Sequence, residues 1–167
     1  MIEHFRMLAG FNRWANDRVY DAAAALGDAD YHKTRACAFF GSIHGTLNHL
    51  LVVDRLWFGR LAGSVPPIAS LDETLYDDFA GLRAAREAED ARIIAQVGNL
   101  EEADLSRDCR FTLLSQPGAE KVMKPSLMLA TVFNHQTHHR GQVHAMLKEA
   151  GVEPPGLDII LYPEASG

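Results

Sequence analysis

The chain has 167 residues, nearly half of them apolar and about a quarter charged, which is the composition of an ordinary soluble globular domain with a real core. Sixteen basic residues against twenty-two acidic ones give a net charge of -6, and no Lys/Arg cluster appears, so nucleic acid is excluded as a partner. Two cysteines far apart, Cys37 and Cys109, lack a Cys-x-x-Cys spacing and fit two structural thiols in a reducing compartment, with one disulfide as the alternative.

The start of the chain carries Glu3, His4 and Arg6 and no long apolar run, which argues against a secretory leader and for the cytoplasm. From about Ile2 to Leu26, Phe5, Leu8, Phe11, Ala15, Val19, Ala22 and Leu26 recur at steps of three and four, the period of a helix with one buried face. Gly27 ends it, with Asp28 and Asp30 as turn residues. The stretch 36–53 has no Asp, Glu, Lys or Arg, but Ser42, His44, Thr46, Asn48 and His49 would be costly in lipid. It is therefore expected to be buried in protein, not in a membrane. The second helix is predicted from Ser42 to Leu61. Its apolar residues almost encircle the axis, which makes it central in the fold.

A third helix is predicted from Leu71 or Thr74 to Val97, with Thr74, Leu75, Phe79, Leu82, Ile93 and Ile94 marking a narrower and more peripheral stripe. Segment 105–123 centres on Pro117-Gly118 between Phe/Thr/Leu and Val/Met, as expected of a short hairpin or an irregular loop. Pro125 opens the fourth helix, which runs to about Ala150 and stops at Gly151. The tail is short and apolar enough to lie against the rest. The prediction is one all-α domain over 1–167, a four-helix bundle with a possible hairpin before its last helix.

The fourth helix carries the chemistry. Met128, Val132, His135, His139, Val143 and Met146 fall on one stripe, so His135 and His139 point where the apolar residues point. A lone buried histidine is usually a satisfied core residue. Two at i and i+4 each need a partner for their ring nitrogens, and one metal ion would satisfy both. His49, inward on the most apolar helix, is the candidate third ligand, and three imidazoles leave a metal an open coordination position. His138 is turned about 100° from His139 and is expected at the rim. His44 and Asp54 stand five residues from His49, off its face; Asp54 is expected to pair with an Arg at the bundle end. His4, His32 and His144 are expected to be non-ligating, and Asn48, Gln142, Glu3 and Arg140 are candidates for hydrogen bonds near the site. Phe11, Trp14 and Trp57 are core or pocket wall. No nucleophile elbow, P-loop or dinucleotide fingerprint is present, and Gln136 stands where a His-Glu-x-x-His helix would place its Glu.

FNRWAN at 11–16, GSIHGTLNHLLVVDRLWFGRLAG at 41–63 and FNHQTHHRGQVHAML at 133–147 resemble the DinB family of bacterial metal-binding four-helix bundles. The resemblance spans nearly the whole chain. It implies an up-down-down-up bundle with a long crossover connection and a divalent ion held by His49, His135 and His139, with zinc or nickel the leading metals. It also implies a metal-dependent thiol (S-)transferase that uses a low-molecular-weight thiol on a small-molecule substrate, and a homodimer. A metal-water hydrolase and a non-catalytic metal-binding stress-response protein are the alternatives.

Overall fold

The computed structural model describes residues 1–36, 38–114 and 116–166, without the side chains of residues 117, 165 and 166. It is mostly helical: α1 (Ile2–Ala23), α2 (Asp28–His32), α3 (Ile43–Ala62), α4 (Phe79–Gly98) and α5 (Pro125–Glu149), with a two-stranded sheet of β1 (Cys109–Leu113) and β2 (Gln116–Met123). α1 packs on α4 and α5, and α3 packs on the same two helices. Every long helix therefore lines a shared interior. No helix among the described residues is long and apolar enough to cross a membrane.

α1 buries Ile2, Phe5, Ala9, Asn12, Ala15, Val19 and Ala23 at helical steps. It ends three residues before the predicted Leu26. Ala25 and Leu26 still donate to the carbonyls of Ala22 and Ala23, so the chain continues briefly as a tighter i→i−3 coil. Asp28 and Asp30, expected in a turn, belong to the short helix α2. The Gly27 carbonyl accepts from the backbone N–H of Asp30 and Tyr31, and buried Tyr31 anchors the element.

α3 follows its prediction closely. Ser42 caps it by accepting from the Gly45 N–H at 3.0 Å, and Gly63 ends it at φ +74°, the left-handed position that suits glycine. Its burial all round, including Val52, Val53 and Asp54, makes it the central helix.

α4 starts at Phe79, later than the apolar spacing suggested. Asp78 is the N-cap, accepting from the Gly81 N–H at 2.7 Å. The preceding stretch is instead strapped to α3 by one side chain. The Asn48 amide oxygen accepts from the backbone N–H of Leu75 and Tyr76, and its amide nitrogen donates to the Tyr76 carbonyl. The buried face of α4 also departs from a purely apolar stripe. Arg86, Glu89 and Asp90 lie buried among Leu82, Ala85, Ile93 and Val97, and a hydrophobic pattern cannot show charged core positions.

The hairpin forms, but its turn precedes the Pro-Gly pair. Leu113 pairs with Gln116 and Thr112 with Glu120, so residues 117–119 are an excess on β2. Gly118 at φ +86° sits in this bulge. β1 turns Cys109 and Phe111 into the core beside Phe5, Phe58 and Met128. Cys37 and any pairing of it lie outside the described residues; Cys109 is a buried free thiol. Among the described side chains of the tail, Tyr162 is buried against Phe11 and Trp14, while Ile159, Ile160 and Leu161 are exposed.

Candidate metal centre

α3 and α5 pack together so that His49 from one meets His135 and His139 from the other. One ligand atom from each imidazole lies within 4.8 Å of the other two. The Nε2 atoms of His49 and His135 are 3.0 Å apart, and the ring centroids stand 4.4 to 4.9 Å from one another. His49 and His139 are buried and His135 is half-buried. The i, i+4 spacing on α5 therefore stacks two rings over His49 of α3.

The partners of these rings fix which nitrogen is free. His49 Nδ1 lies 2.7 Å from the Leu71 carbonyl oxygen, which can only accept, so Nδ1 carries the proton and Nε2 keeps its lone pair. His139 Nδ1 lies 2.8 Å from the Gln142 amide oxygen, with the same consequence. The Gln142 amide nitrogen is 3.2 Å from His138 Nε2, which places His138 at the rim as expected. His135 differs. Its Nδ1 is buried with no hydrogen-bond partner.

Electrostatics keeps the cluster neutral. Burial, reinforced by the neighbouring His139 and His49, drives the His135 pKa down to about 3. Burial lowers His49 to about 4 although its bond to Leu71 acts the other way, and burial lowers His139 as well. Neutral imidazole is the form that ligates metal. Phe40 stacks on His49 with ring centroids 3.5 Å apart and meets His139 edge-on at 5.4 Å, closing one side. At the mouth Asp72 stays ionised, held below the usual carboxylate range chiefly by a hydrogen bond from Ser70.

The other candidates fall elsewhere. His44 Nε2 faces the Tyr76 carbonyl at 2.9 Å, and Asn48 holds the 75–76 backbone instead of a ligand ring. His32 turns to Asp28, and exposed Glu3 pairs with Arg6. Trp57 meets Phe111 beneath the hairpin, away from the cluster. Phe40 and the Leu71 carbonyl went unnoticed in the sequence, because a loop aromatic and a backbone oxygen leave no spacing signal.

Asp54 and Arg140 belong to a second polar cluster. Asp54 does pair with an arginine, but Arg86 meets it at 2.7 Å in the interior, not at the bundle end. Arg86 also binds Asp90, which accepts from Asn12 and Asn16. Arg140 donates to the side-chain oxygens of Asn12, Asn16 and Gln136, and the Gln136 amide nitrogen donates to the Leu50 carbonyl. The chain of contacts joins α1, α3, α4 and α5, and it passes residues directly next to all three histidines: Leu50, Gln136 and Arg140.

The chain is 28% identical to Protein DinB of Bacillus subtilis (strain 168) over 167 aligned positions, which cover 91% of this chain and 89% of that protein. Its fold matches the crystal structure of a DinB-like protein from Bacillus cereus ATCC 10987 with a TM-score of 0.65 at 17% identity, covering 86% of this chain and 90% of that one. Residues 1–166 match the DinB family, and the chain belongs to it.

Proposed function

We propose that His49, His135 and His139 hold one divalent metal ion, zinc or nickel, and that the centre serves a thiol S-transferase. The carrying observation is the state of the ring nitrogens. Two Nδ1–H groups are committed to carbonyl oxygens, which leaves the Nε2 lone pairs of His49 and His139 as ligand atoms beside His135. The Nε2 atoms of His49 and His135, 3.0 Å apart, are close enough for one ion to take both as ligands. Without an ion, the His135 ring can donate an N–H to His49 Nε2 at 3.0 Å, while its Nδ1 stays buried without a partner.

His49, His135 and His139, all neutral, would leave a bound divalent ion its full charge and an open position, and the ion would supply the acidity that a coordinated thiol needs to lose its proton. The protein supplies the rest. Leu71 and Gln142 hold two rings at fixed rotation, Phe40 covers the His49 face against water, and the cleft above orients the second reactant. In the overall reaction the thiol loses its proton, its sulfur forms a bond to the carbon of the electrophile, and the leaving group departs with the bonding pair. We read the four long helices as the family's bundle with its crossover at 63–78, and the protein as cytoplasmic, acting on a small molecule.

The test is thiol-dependent turnover of a panel of electrophiles by wild type and His135→Ala. Activity that needs thiol and is abolished together with metal in the variant supports the reading. Turnover of esters without thiol would favour a hydrolase. Retained turnover in metal-free His135→Ala would overturn the metal centre as the catalyst.

A further inference from the structure

The three imidazoles open onto a cavity of about 330 Å3 walled by Phe39, Phe40, Leu71, His138 and Gln142. Phe39, Phe40 and Leu71 also wall an adjoining hollow of about 480 Å3 that reaches Gly45, Asp72 and Thr74. The site is thus a two-part cleft with an apolar divide. Phe39 is 81% exposed and touches Phe40 edge-on at 4.9 Å, and Leu71 is 42% exposed. A phenyl ring left this bare at the mouth of a buried polar cluster is a surface suited to an apolar ligand.

The charges around it point the same way. Among the described residues no Lys or Arg lines either hollow, and the acidic side chain present is Asp72. An anionic group over Phe39 and Leu71 would find no cation to pair with and would lie near the exposed Asp72 carboxylate of the adjoining hollow. An uncharged ring would instead cover Phe39 and Leu71 and release their hydration water.

We propose that this cleft takes a ligand whose body is uncharged and apolar, about one or two rings in size, lying over Phe39, Phe40 and Leu71 while its reactive end meets the three imidazoles; bodies carrying a carboxylate or sulfonate are rejected. The proposal rests on the metal-centre reading only for the reactive end.

Two fluorescent probes with the same aromatic body test it: neutral N-phenyl-1-naphthylamine and its sulfonated counterpart 8-anilino-1-naphthalenesulfonate, titrated into metal-free full-length protein. The neutral probe is expected to bind at least tenfold more tightly. Phe39→Ser, at an exposed position that leaves the core intact, is expected to weaken it at least fivefold, and Asp72→Asn to narrow the gap between the probes. Equal affinities, tighter binding of the sulfonate, or an unchanged neutral probe in Phe39→Ser would overturn the proposal. Cobalt(II) titration of the same proteins separates the two readings. Cobalt uptake without a probe preference overturns the cleft assignment alone. The expected probe preference without cobalt uptake supports the apolar body and overturns the metal-bound end.

Discussion

The buried Arg86–Asp54–Asp90–Arg140 cluster and the His49–His135–His139 cluster are neighbours, with Arg140 next to His139 on α5 and Asp54 five residues after His49 on α3, yet they solve burial in opposite ways. In the first, opposite charges and amides meet one another: Arg86 sits between two aspartates, Asn12 and Asn16 bridge Asp90 to Arg140, and Gln136 reaches the Leu50 carbonyl. In the second, the groups are of one kind. Three neutral imidazoles converge on the same space, His49 and His139 with free Nε2 lone pairs, and the His135 Nδ1 is buried without a partner. The charged cluster leaves Asp54 Oδ1 and one Arg86 nitrogen without a hydrogen bond, but its charges are opposite in sign and hold one another; three like rings converging on one space leave room for a cation from outside the chain.

If that contrast is right, mutations in the two clusters separate stability from metal binding. The largest effect is expected from Arg86→Ala, which leaves Asp54 and Asp90 buried without their shared cation. Removing one partner of a buried pair costs about 3–5 kcal/mol, so the urea midpoint should fall steeply. The protein that remains folded should still take up metal. A small shift in the midpoint would show that the charged cluster is not what ties the helices together.

His135→Ala should do the reverse. Metal uptake should vanish, while metal-free stability changes by about 1 kcal/mol or less, because the imidazole removed has an unpaired buried nitrogen. Calorimetry with and without zinc measures both. Gln142→Ala, which removes the partner of His139 Nδ1, should weaken metal affinity about 10- to 100-fold without abolishing it. An unchanged affinity would mean that Gln142 does not orient the ring.

The last expected effect is on pH. The folded protein holds His49 near 4 and His135 near 3, below the ordinary histidine value of about 6.5. Below pH 6.5 the unfolded chain therefore binds more protons than the folded one. The stability contribution is fully present above 6.5 and is lost as pH falls toward 4. The melting temperature of metal-free protein at pH 7, 6 and 5 should drop accordingly. The double variant His49→Gln with His135→Gln should show a flatter profile.

The same contrast explains what the sequence could disclose. His135 and His139 fall on the stripe of Met128, Val132 and Val143, so helical spacing alone brought them together, and the apolar surroundings of His49 marked it as inward. The charged cluster stayed hidden because Arg86, Glu89 and Asp90 look like a solvated face until their partners on other helices are known. The start of α4 was misplaced for a related reason. Thr74 and Leu75 carry the right spacing, but the Asn48 amide captures the backbone of Leu75 and Tyr76 from another helix. The Leu71 carbonyl and Phe40 beside His49 depend on the path of two loops, which no local pattern specifies.

The central claim is that the three imidazoles are complete only with an ion. Its most direct test is native mass spectrometry of metal-free wild type and His139→Ala, each titrated with zinc or nickel in a competing chelator. One ion per wild-type chain, and none in the variant at the same free-metal concentration, is the predicted result. Equal uptake by the two proteins, or none by either, would contradict the claim and return these histidines to the packed core.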